Sequence, residues 1–582
     1  MLLTDKALSN KISSPNNSLI NPTNKQLIEP TVADTIVQML TDLGVRQAFG
    51  IGGGGIVPIW DALEKSSIEV LNFRHESGSA FAATEAYFTD NRPVAVFATT
   101  GPGITNVLTG IMAARGEGAK VILLSGSTSE ALQGKFALQE TSRDTMPEGF
   151  FKAGTVFDYA KTITTSSELQ KIQEELALQI KRPGGFVVHL NIPTNIQTSP
   201  GSHLTSPKFK TSLFIPDENA INKAVEILSE PFAIWVGFGA RDAAEEIQRL
   251  AELTGANVMC SPRGKGIFPE SHPQFLGVTG FAGHESVIEY MRSTPPDRIL
   301  VLGTRLGEFT SFWNSIMVPP KGFIHVDIDP KVPGSAYPTA DTFPIYAEIK
   351  TFLGLLLDKL SQKHKLNPLS VHIPVREGEI TTEKLQLENG LVRPRELMRA
   401  IQTVVVENSD ATVMAEGGNS FAWAIHYLKF NQATRWRVST GFASMGHFTT
   451  GVVGAAANGK KAVAIVGDGS MLMNNEINTA VQYNLPAVWI VLNDASYNMC
   501  NQGAIMLGRP SIKGYIAPTD FAMLARSMGA DGICVDNESQ LKKAISKAMK
   551  SKVPFVIDVK INPSELAPIG ERMNSINKQT AK

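Results

Sequence analysis

Short runs of β-branched and apolar residues alternate with amphipathic segments along almost the whole chain. This alternation predicts parallel β-strands covered on both faces by helices, because each crossover between parallel strands places a helix on one face of the sheet. The sequence therefore predicts an α/β protein built from doubly wound parallel sheets. The runs predicted as strands are 93–100, 120–126, 184–190, 231–239, 297–303, 323–329, 461–469, 486–494 and 554–559.

Two polar stretches interrupt the alternation and divide the chain. They cover 193–210 and about 363–391, and both have the composition of linkers. Three domains of ordinary size result, each with its own set of predicted strands. The predicted domains are an N-terminal domain at 28–192, a central domain at 213–360 and a C-terminal domain at 392–575.

Composition and charge exclude several classes of partner. A formal net charge of −1 gives no electrostatic reason to expect nucleic acid or an anionic membrane. No run approaches the roughly 20 apolar residues of a membrane helix. The three cysteines lack metal-ligand spacing and are typical of a reduced compartment. We therefore expect a soluble cytoplasmic protein, with residues 1–27, rich in Ser and Asn, as a disordered extension.

The stretch "AFGIGGGGIVPIW" (48–60) allows two interpretations. Gly50, Gly52 and Gly55 satisfy the G-x-G-x-x-G fingerprint of dinucleotide sites, and Glu69 stands near the place of its ribose-binding acid. However, the glycines follow a very short predicted strand, whereas the fingerprint needs a long buried one. The alternative is a glycine loop that lets the backbone pass close to a different cofactor.

A predicted strand–turn–helix–strand segment at 461–494 carries the residues best suited to a charged cofactor. Asp468 and Asp494 follow its two strands, and the carboxyl ends of parallel strands meet at one edge of a sheet. Their oxygens would suit a hard cation such as Mg²⁺. The turn after the first strand has small residues whose backbone can approach a phosphate and donate N–H groups to it. These residues are Gly467, Gly469 and Ser470.

The same segment resembles the thiamine-diphosphate motif, in which Gly-Asp-Gly is followed one strand later by Asn-Asn. The resemblance extends over residues 30–570 and is to the acetolactate-synthase-like branch of the thiamine-diphosphate enzymes. It implies three doubly wound domains: pyrimidine-binding, central and diphosphate-binding. The further matching stretches are "NFRHESGSAFAATEAYF" (72–88), "TTGPGITNVLTGI" (99–111), "FALQE" (136–140), "HVDIDP" (325–330) and "GFASMGHFTTGVVGAA" (441–456).

This resemblance implies roles for individual residues. The metal ligands are Asp468, Asp494, which stands where the family usually has Asn, and the backbone carbonyl of Ser496. The essential glutamate, which hydrogen-bonds N1′ of the aminopyrimidine, is Glu76. The other implied cofactor contacts are Gly53 and Gly54 near the pyrimidine, Gly418, Asn419 and Ser420 near the diphosphate, Met445 as support for the bent cofactor, and Met499.

The resemblance also implies the reaction: a 2-oxo acid loses CO₂, and the remaining acyl group either leaves as an aldehyde or joins a carbonyl acceptor. Decarboxylases of the family carry a His-His pair, and none of the ten histidines here is adjacent to another. This favours carboligation, with acetolactate synthase proper and a non-ligating decarboxylase as alternatives. Gln139 matches a glutamine near the acceptor site.

Two departures from acetolactate synthases bear on substrate and cofactor. In their Met-x-x-Gln-Trp stretch a tryptophan restricts the acceptor, and here "NMCNQGA" places Gly503 at that position. We expect a more open pocket and a larger or aromatic substrate. Flavin-containing relatives have Gly-x-Arg-Phe-Asp-Asp-Arg where this chain has "GTRLGEFTSFW" (303–313), although Lys152 matches a lysine near their flavin channel. We expect an enzyme without FAD.

Glu76 and Asp468 lie in different predicted domains. Members of the family bind the cofactor between two subunits. The resemblance therefore implies a homo-oligomer, a dimer or a dimer of dimers, with thiamine diphosphate and Mg²⁺ at the subunit interface.

Overall fold

A computed structural model describes residues 29–207, 214–363 and 391–580 of the chain. The predicted extension at 1–27 lies outside the described residues, as does nearly all of the second polar stretch. The first polar stretch is not a free linker where it is described. Val32 N–H donates to the Ser199 carbonyl, and Gly201 N–H donates to the Pro30 carbonyl, at 2.9 and 2.7 Å. The N-terminal domain therefore continues past its predicted end at residue 192.

The N-terminal domain contains a six-stranded parallel sheet in the order β2-β1-β3-β4-β6-β5. Its central strands β3 and β4 are buried along nearly their whole length. Its strands are β1 Gln47–Gly50, β2 Glu69–Asn72, β3 Val94–Ala98, β4 Lys120–Ser127, β5 Tyr159–Thr162 and β6 Phe186–Pro193. Its helices are α1 Val32–Asp42, α2 Val57–Glu64, α3 Glu76–Asp90, α4 Pro102–Glu117, α5 Leu169–Ile180 and α6 Thr194–Gln197.

The central domain has a different strand order, β12-β11-β10-β7-β8-β9, again with all pairs parallel. The order reverses direction between β7 and β10. Its strands are β7 Phe232–Val236, β8 Asn257–Cys260, β9 Phe275–Val278, β10 Arg298–Leu302, β11 Phe323–Asp327 and β12 Thr342–Tyr346. Its helices are α7 Glu218–Ile227, α8 Ala244–Thr254, α9 Glu285–Ser293, α10 Glu308–Ser311 and α11 Ile349–Lys363.

The C-terminal domain repeats the strand order of the N-terminal one: β14-β13-β15-β16-β18-β17. Its strands are β13 Thr412–Ala415, β14 Trp436–Val438, β15 Ala462–Gly467, β16 Ala487–Asn493, β17 Asp531–Val535 and β18 Phe555–Lys560. Its helices are α12 Pro394–Ile401, α13 Asn419–Tyr427, α14 His447–Ala456, α15 Asp468–Met471, α16 Ile477–Gln482, α17 Asn498–Met506, α18 Phe521–Ser527, α19 Leu541–Lys550 and α20 Gly570–Thr580.

The predicted fold class, three doubly wound parallel-sheet domains, is confirmed. The outer domains meet through α3 and α14, whose small residues allow close approach. A Cβ at Gly454 would lie 1.9 Å from the Ala82 carbonyl oxygen, and one at Gly451 would lie 2.7 Å from Glu85 Cγ. None of the helices in the described ranges is both long enough and apolar enough to cross a membrane.

Candidate active site

The strands β13, β15 and β16 are neighbours, and all three end at the same edge of the C-terminal sheet. Ala415 is in register with Ile465, and Gly467 with Leu492. The segments that follow these strands therefore meet, as the sequence predicts. They carry Glu416–Ser420, Asp468–Ser470 and Asp494–Ser496.

Asp468 is buried at this edge and organises the turn that follows β16. Its Oδ1 accepts a hydrogen bond from Gly469 N–H at 2.7 Å. Its Oδ2 accepts from Asp494 N–H at 3.2 Å and from Ser496 N–H at 3.3 Å. Ala495, between those two residues, has a left-handed φ of 53° that wraps the turn around the carboxylate. Burial raises the pKa of Asp468 despite these donors.

The donor set at this edge fits a divalent cation. Burial, and then the charge of Asp468, raise the pKa of the Asp494 carboxyl to about 7, and a cation between two coupled acids removes that cost. Within the described ranges no group of three or more His, Cys, Asp or Glu side chains is arranged to hold a metal. Mg²⁺ does not need one, because it commonly takes one or two carboxylates together with phosphate oxygens.

The turn after β13 has room for a phosphate group. Gly418 has φ of 127°, and neither it nor Gly467 has any atom within 4 Å of where a Cβ would be. Asn419 begins α13, so the first N–H groups of that helix point out at this edge. The Asn419 Oδ1 atom is buried without a hydrogen-bond partner in the described structure, which fits a ligand at this position. The Ser420 hydroxyl, by contrast, donates to the Glu416 carbonyl at 2.9 Å.

Met445 lies half-buried in the turn that precedes α14, next to Gly446 with φ of 88°. The turn is tied to the Asn419 turn by Glu416. One Glu416 oxygen accepts from Phe448 N–H and Thr449 N–H, both at 2.9 Å, at the beginning of α14. A single buried carboxylate therefore sets the spacing between two segments that are expected to contact the cofactor.

The N-terminal domain contributes a second group of predicted residues. Glu76 is the first residue of α3 and is 8% exposed. Its Oε2 accepts a hydrogen bond from Asn106 Nδ2, on α4, at 3.1 Å. The carboxylate is thus buried and oriented by an amide, and no cation is paired with it among the described residues.

The glycine loop beside this group packs tightly against the end of β3. A Cβ at Gly50 would lie 2.0 Å from the Phe97 carbonyl oxygen, and one at Gly53 would lie 2.7 Å from Thr99. Gly54 is exposed, with open space around it. The fingerprint glycines thus make room for close neighbours, which are the Phe97 carbonyl at Gly50, the Trp60 ring at Gly52 and the Thr100 side chain at Gly55. Glu69 pairs with Gln47 at 2.9 Å.

Gln139 lies over the same β3 edge, with φ of 52°. Its Oε1 accepts from the Thr100 hydroxyl at 3.2 Å, so it joins the loop that also contacts Gly53. Met499 lies on α17, half-buried against the core of the C-terminal domain. No hydrogen bond within the described residues joins the Glu76 group to the Asp468 group.

Three residues of this arrangement had no role assigned from the sequence, although Gln502 matches the glutamine of the Met-x-x-Gln-Trp stretch: Asn106, Glu416 and Gln502. Gln502 Oε1 accepts from Asn419 Nδ2 at 3.3 Å and from Ala567 N–H at 3.1 Å. Each of the three lies in a stretch that resembles the family, but its hydrogen-bond partner is 30 or more residues away in the chain. The local sequence therefore gives no indication of that partner.

Comparison with known proteins agrees with this arrangement. Three family models match: the thiamine pyrophosphate enzyme N-terminal TPP binding domain at 30–147, the central domain at 221–356 and the C-terminal TPP binding domain at 416–559. The matches fall in the three domains in the observed order, and β5, β6 and β13 lie outside the matched residues.

Similar curated proteins include acetolactate synthase large subunits. The chain is 27% identical to a probable acetolactate synthase large subunit of Methanocaldococcus jannaschii, with 94% of each chain covered. It is 28% identical to the acetolactate synthase isozyme 3 large subunit of Escherichia coli, over 92% of this chain and 95% of that one. For the acetolactate synthase large subunit of Corynebacterium glutamicum the identity is 28%, over 91% and 86%. The chain therefore belongs to the thiamine-pyrophosphate-dependent enzymes, in their acetolactate-synthase-like branch.

Proposed function

We propose that this enzyme is a carboligase that decarboxylates a 2-oxo acid and transfers the acyl group to a carbonyl acceptor. The observation that carries the proposal is the combination of a buried, amide-oriented Glu76 with the two-carboxylate edge at Asp468 and Asp494. The first suits proton transfer, and the second suits a magnesium diphosphate.

Thiamine diphosphate, when bound, supplies the electron sink for decarboxylation. Glu76 holds and exchanges a proton at its carboxylate, and the Asn106 amide keeps that carboxylate in one orientation. The Mg²⁺ ion would be held by Asp468, Asp494 and the Ser496 carbonyl. The diphosphate would be lined by Gly418, Asn419, Gly467, Gly469 and Ser470. The pyrimidine side of the cofactor would be bordered by Gly53 and Gly54, and the acceptor site by Gln139. Apolar contacts to the cofactor would come from Met445 and Met499.

Carboligation is favoured over aldehyde release because the chain has no adjacent pair of histidines to deliver a proton. His75 is the histidine beside Glu76, and its Nδ1 accepts from Ser77 N–H at 3.2 Å. That contact occupies it as a helix cap. Acetolactate synthase proper is the second candidate, favoured by the similar proteins.

A homo-oligomer with the cofactor between subunits is supported by two exposed apolar surfaces. Phe136 and Leu138, beside Gln139, are 99% and 93% exposed. The surface around the Asp468 turn also exposes large apolar side chains. Covering such surfaces is a usual reason for self-association. The exposed residues of the second surface are Phe442, Leu472, Met473, Tyr497 and Tyr515.

We also propose that the enzyme works without FAD. Glu308 occupies the stretch in which flavin-containing relatives carry their acidic pair. Here it accepts hydrogen bonds from Ser575 Oγ and Gln579 Nε2, both at 2.8 Å, and from Arg572. Carboligation is redox-neutral and needs no flavin. A flavin-like visible absorbance spectrum of the purified protein would contradict this proposal.

The test is a matrix of 2-oxo acid donors and carbonyl acceptors, incubated with enzyme, thiamine diphosphate and Mg²⁺ and analysed by mass spectrometry. We expect ligated hydroxyketone products. Glu76→Gln should reduce kcat by at least about a hundredfold and still show a thermal shift with the cofactor. Asp468→Asn should lose most of the Mg²⁺-dependent thermal shift.

Glu69→Gln is the matched control, since it makes the same chemical change in the same domain at the exposed acid of the dinucleotide hypothesis. It should leave turnover unchanged. Free aldehyde as the sole product with every acceptor would refute carboligation. Unchanged kcat in Glu76→Gln would refute the role of Glu76.

A further inference from the structure

The space beside Gly503 is filled by a side chain from the C-terminal helix α20. A Cβ at Gly503 would lie 2.8 Å from the Sδ of Met573 and 3.5 Å from its Cε. Met573 is 7% exposed. The exchange of an indole for hydrogen at this position therefore does not by itself leave an open pocket, contrary to the expectation from sequence. A flexible thioether occupies the space instead.

The segment 563–567, which precedes the helix that carries Met573, is hydrogen-bonded to α17. Gln502 Nε2 donates to the Glu565 carbonyl at 3.0 Å, and Gln502 Oε1 accepts from Ala567 N–H. The same oxygen accepts from Asn419 Nδ2 in the predicted diphosphate turn. Asn498 Nδ2 donates to the Pro563 carbonyl at 3.0 Å. The segment 563–567 is thus one hydrogen-bonded residue away from the predicted cofactor site.

A second contact fixes α20 from the opposite side. Arg572, Ser575 and Gln579 recur at helical spacing, so they share one face of α20. All three donate to a single oxygen, Oε1 of Glu308, on α10 of the central domain. Both Glu308 and Arg572 are largely buried, with side chains 22% and 25% exposed. We call this three-donor contact the Glu308 latch.

Beside the latch, α20 borders a cleft of about 1000 Å³ between itself and the central domain. Trp313, Asn314, Glu571 and Lys578 are among the residues that line it. Ser575 and Gln579 of the Glu308 latch line the same cleft. The latch on this flank and the packing of Met573 on Gly503 together hold α20 in place.

We propose that Met573 determines how large an acceptor the site takes, and that the Glu308 latch determines the position of Met573. The inference rests on the proposed carboligase function, and it adds a specificity-determining residue outside the matched family domains, the last of which ends at residue 559. Met573 acts by filling space and takes no part in proton transfer or metal binding. A shorter side chain there should admit bulkier acceptors.

The test is a competition between two acceptors in one reaction. Holoenzyme is given one 2-oxo acid with equimolar acetaldehyde and benzaldehyde, and the ratio of the two ligated products is measured. Met573→Ala should raise the aromatic-to-aliphatic ratio at least about tenfold, the effect of a few methylene-sized groups in a pocket. Met573→Leu, which conserves volume, should stay within about twofold of the native enzyme. Met523→Ala, the same change on an exposed face of α18, should leave the ratio unchanged.

The product ratio does not depend on the fraction of enzyme that is folded, so a purely structural role for Met573 would not move it. Glu308→Gln tests the latch with Met573 intact, and also serves if Met573→Ala is insoluble. It should shift the ratio in the same direction, with the thiamine diphosphate thermal shift retained. An unchanged ratio in variants that still ligate would refute this inference alone. No ligated product in any donor–acceptor combination of the full matrix would refute the carboligase proposal and this inference with it.

Discussion

Arg437 is the buried cation that joins the three domains, and replacing it with methionine should destabilise the protein severely. Its Nε and Nη2 donate to the two oxygens of Glu85 at 2.7 and 2.9 Å, and Nη2 lies 3.6 Å from Glu117. The guanidinium carbon stands 3.9 Å from the ring centre of Phe88 and 4.8 Å from that of Phe238 in the central domain.

The magnitude follows from the burial of the pair. The side chains of Arg437 and Glu85 are 4% and 1% exposed. Burial by itself raises the pKa of Glu85, but the charge and hydrogen bonds of Arg437, with His447, lower it to about 2. Compared with the ordinary value of 4.5, that difference corresponds to about 3 kcal/mol. Arg437→Met leaves the Glu85 carboxylate buried without its arginine, a change that typically costs about 3–5 kcal/mol. Glu85 keeps its contact with His447 at 2.9 Å, and Glu117 keeps its ion pair with Arg263 at 2.7 Å.

Urea unfolding followed by tryptophan fluorescence measures the change, with the native chain and each variant compared under identical conditions. The matched control is Arg399→Met. Arg399 also pairs with a glutamate at 2.7 Å, but its side chain is 63% exposed. Losing that surface pair should cost less than about 1 kcal/mol.

A double-mutant cycle with Glu85→Gln provides the decisive comparison. Once Arg437 is gone, an uncharged Glu85 position is easier to bury, so the double variant should be less destabilised than the sum of the two single variants. Additive effects, or a loss in Arg437→Met no larger than in Arg399→Met, would show that the buried network does not stabilise the domain junction.

Two further predictions concern the cofactor site and the oligomer. Glu416→Ala removes the acceptor for two N–H groups at the beginning of α14. The Kd for thiamine diphosphate, measured by calorimetry, should therefore rise at least about tenfold. An unchanged Kd would argue against the role of Glu416 in connecting the Asn419 turn with the Met445 turn. The double change Phe136→Ser and Leu138→Ser should weaken self-association in sedimentation experiments, whereas Leu178→Ser, at a residue 48% exposed on α5, should not. Equal association in both variants would contradict the proposed interface.

The runs that the sequence predicts as strands all lie in the interior of their sheets, whereas the six edge strands and the interior strands β8 and β13 are missing from the prediction. All nine predicted strands are observed, because strands covered on both faces are near-continuous apolar runs. The strands β2, β5, β12 and β17 are at sheet edges and only partly buried. Their residues are mixed, and four or five such residues give no periodic signal.

The candidate metal site at Asp468 and Asp494 could also be predicted from the sequence. Both residues follow neighbouring parallel strands, and the sheet brings such positions together. The fold class, the family and the residues at the strand ends could therefore be predicted from the sequence. These properties depend on short-range patterns: apolar runs, Gly-rich turns and their order along the chain.

The pairing of distant residues, by contrast, became visible in the three-dimensional structure. It placed Asn106 on Glu76, Arg437 on a glutamate 352 residues away, and Met573 in the space beside Gly503. It also showed that Gly50, Gly53 and Gly55 allow close packing against residues at the end of β3 and just after it. Such pairings arise from how helices pack onto sheets and domains onto each other. Local hydrophobic periodicity determines which face of an element is buried, but it carries no information on which distant side chain will meet that face.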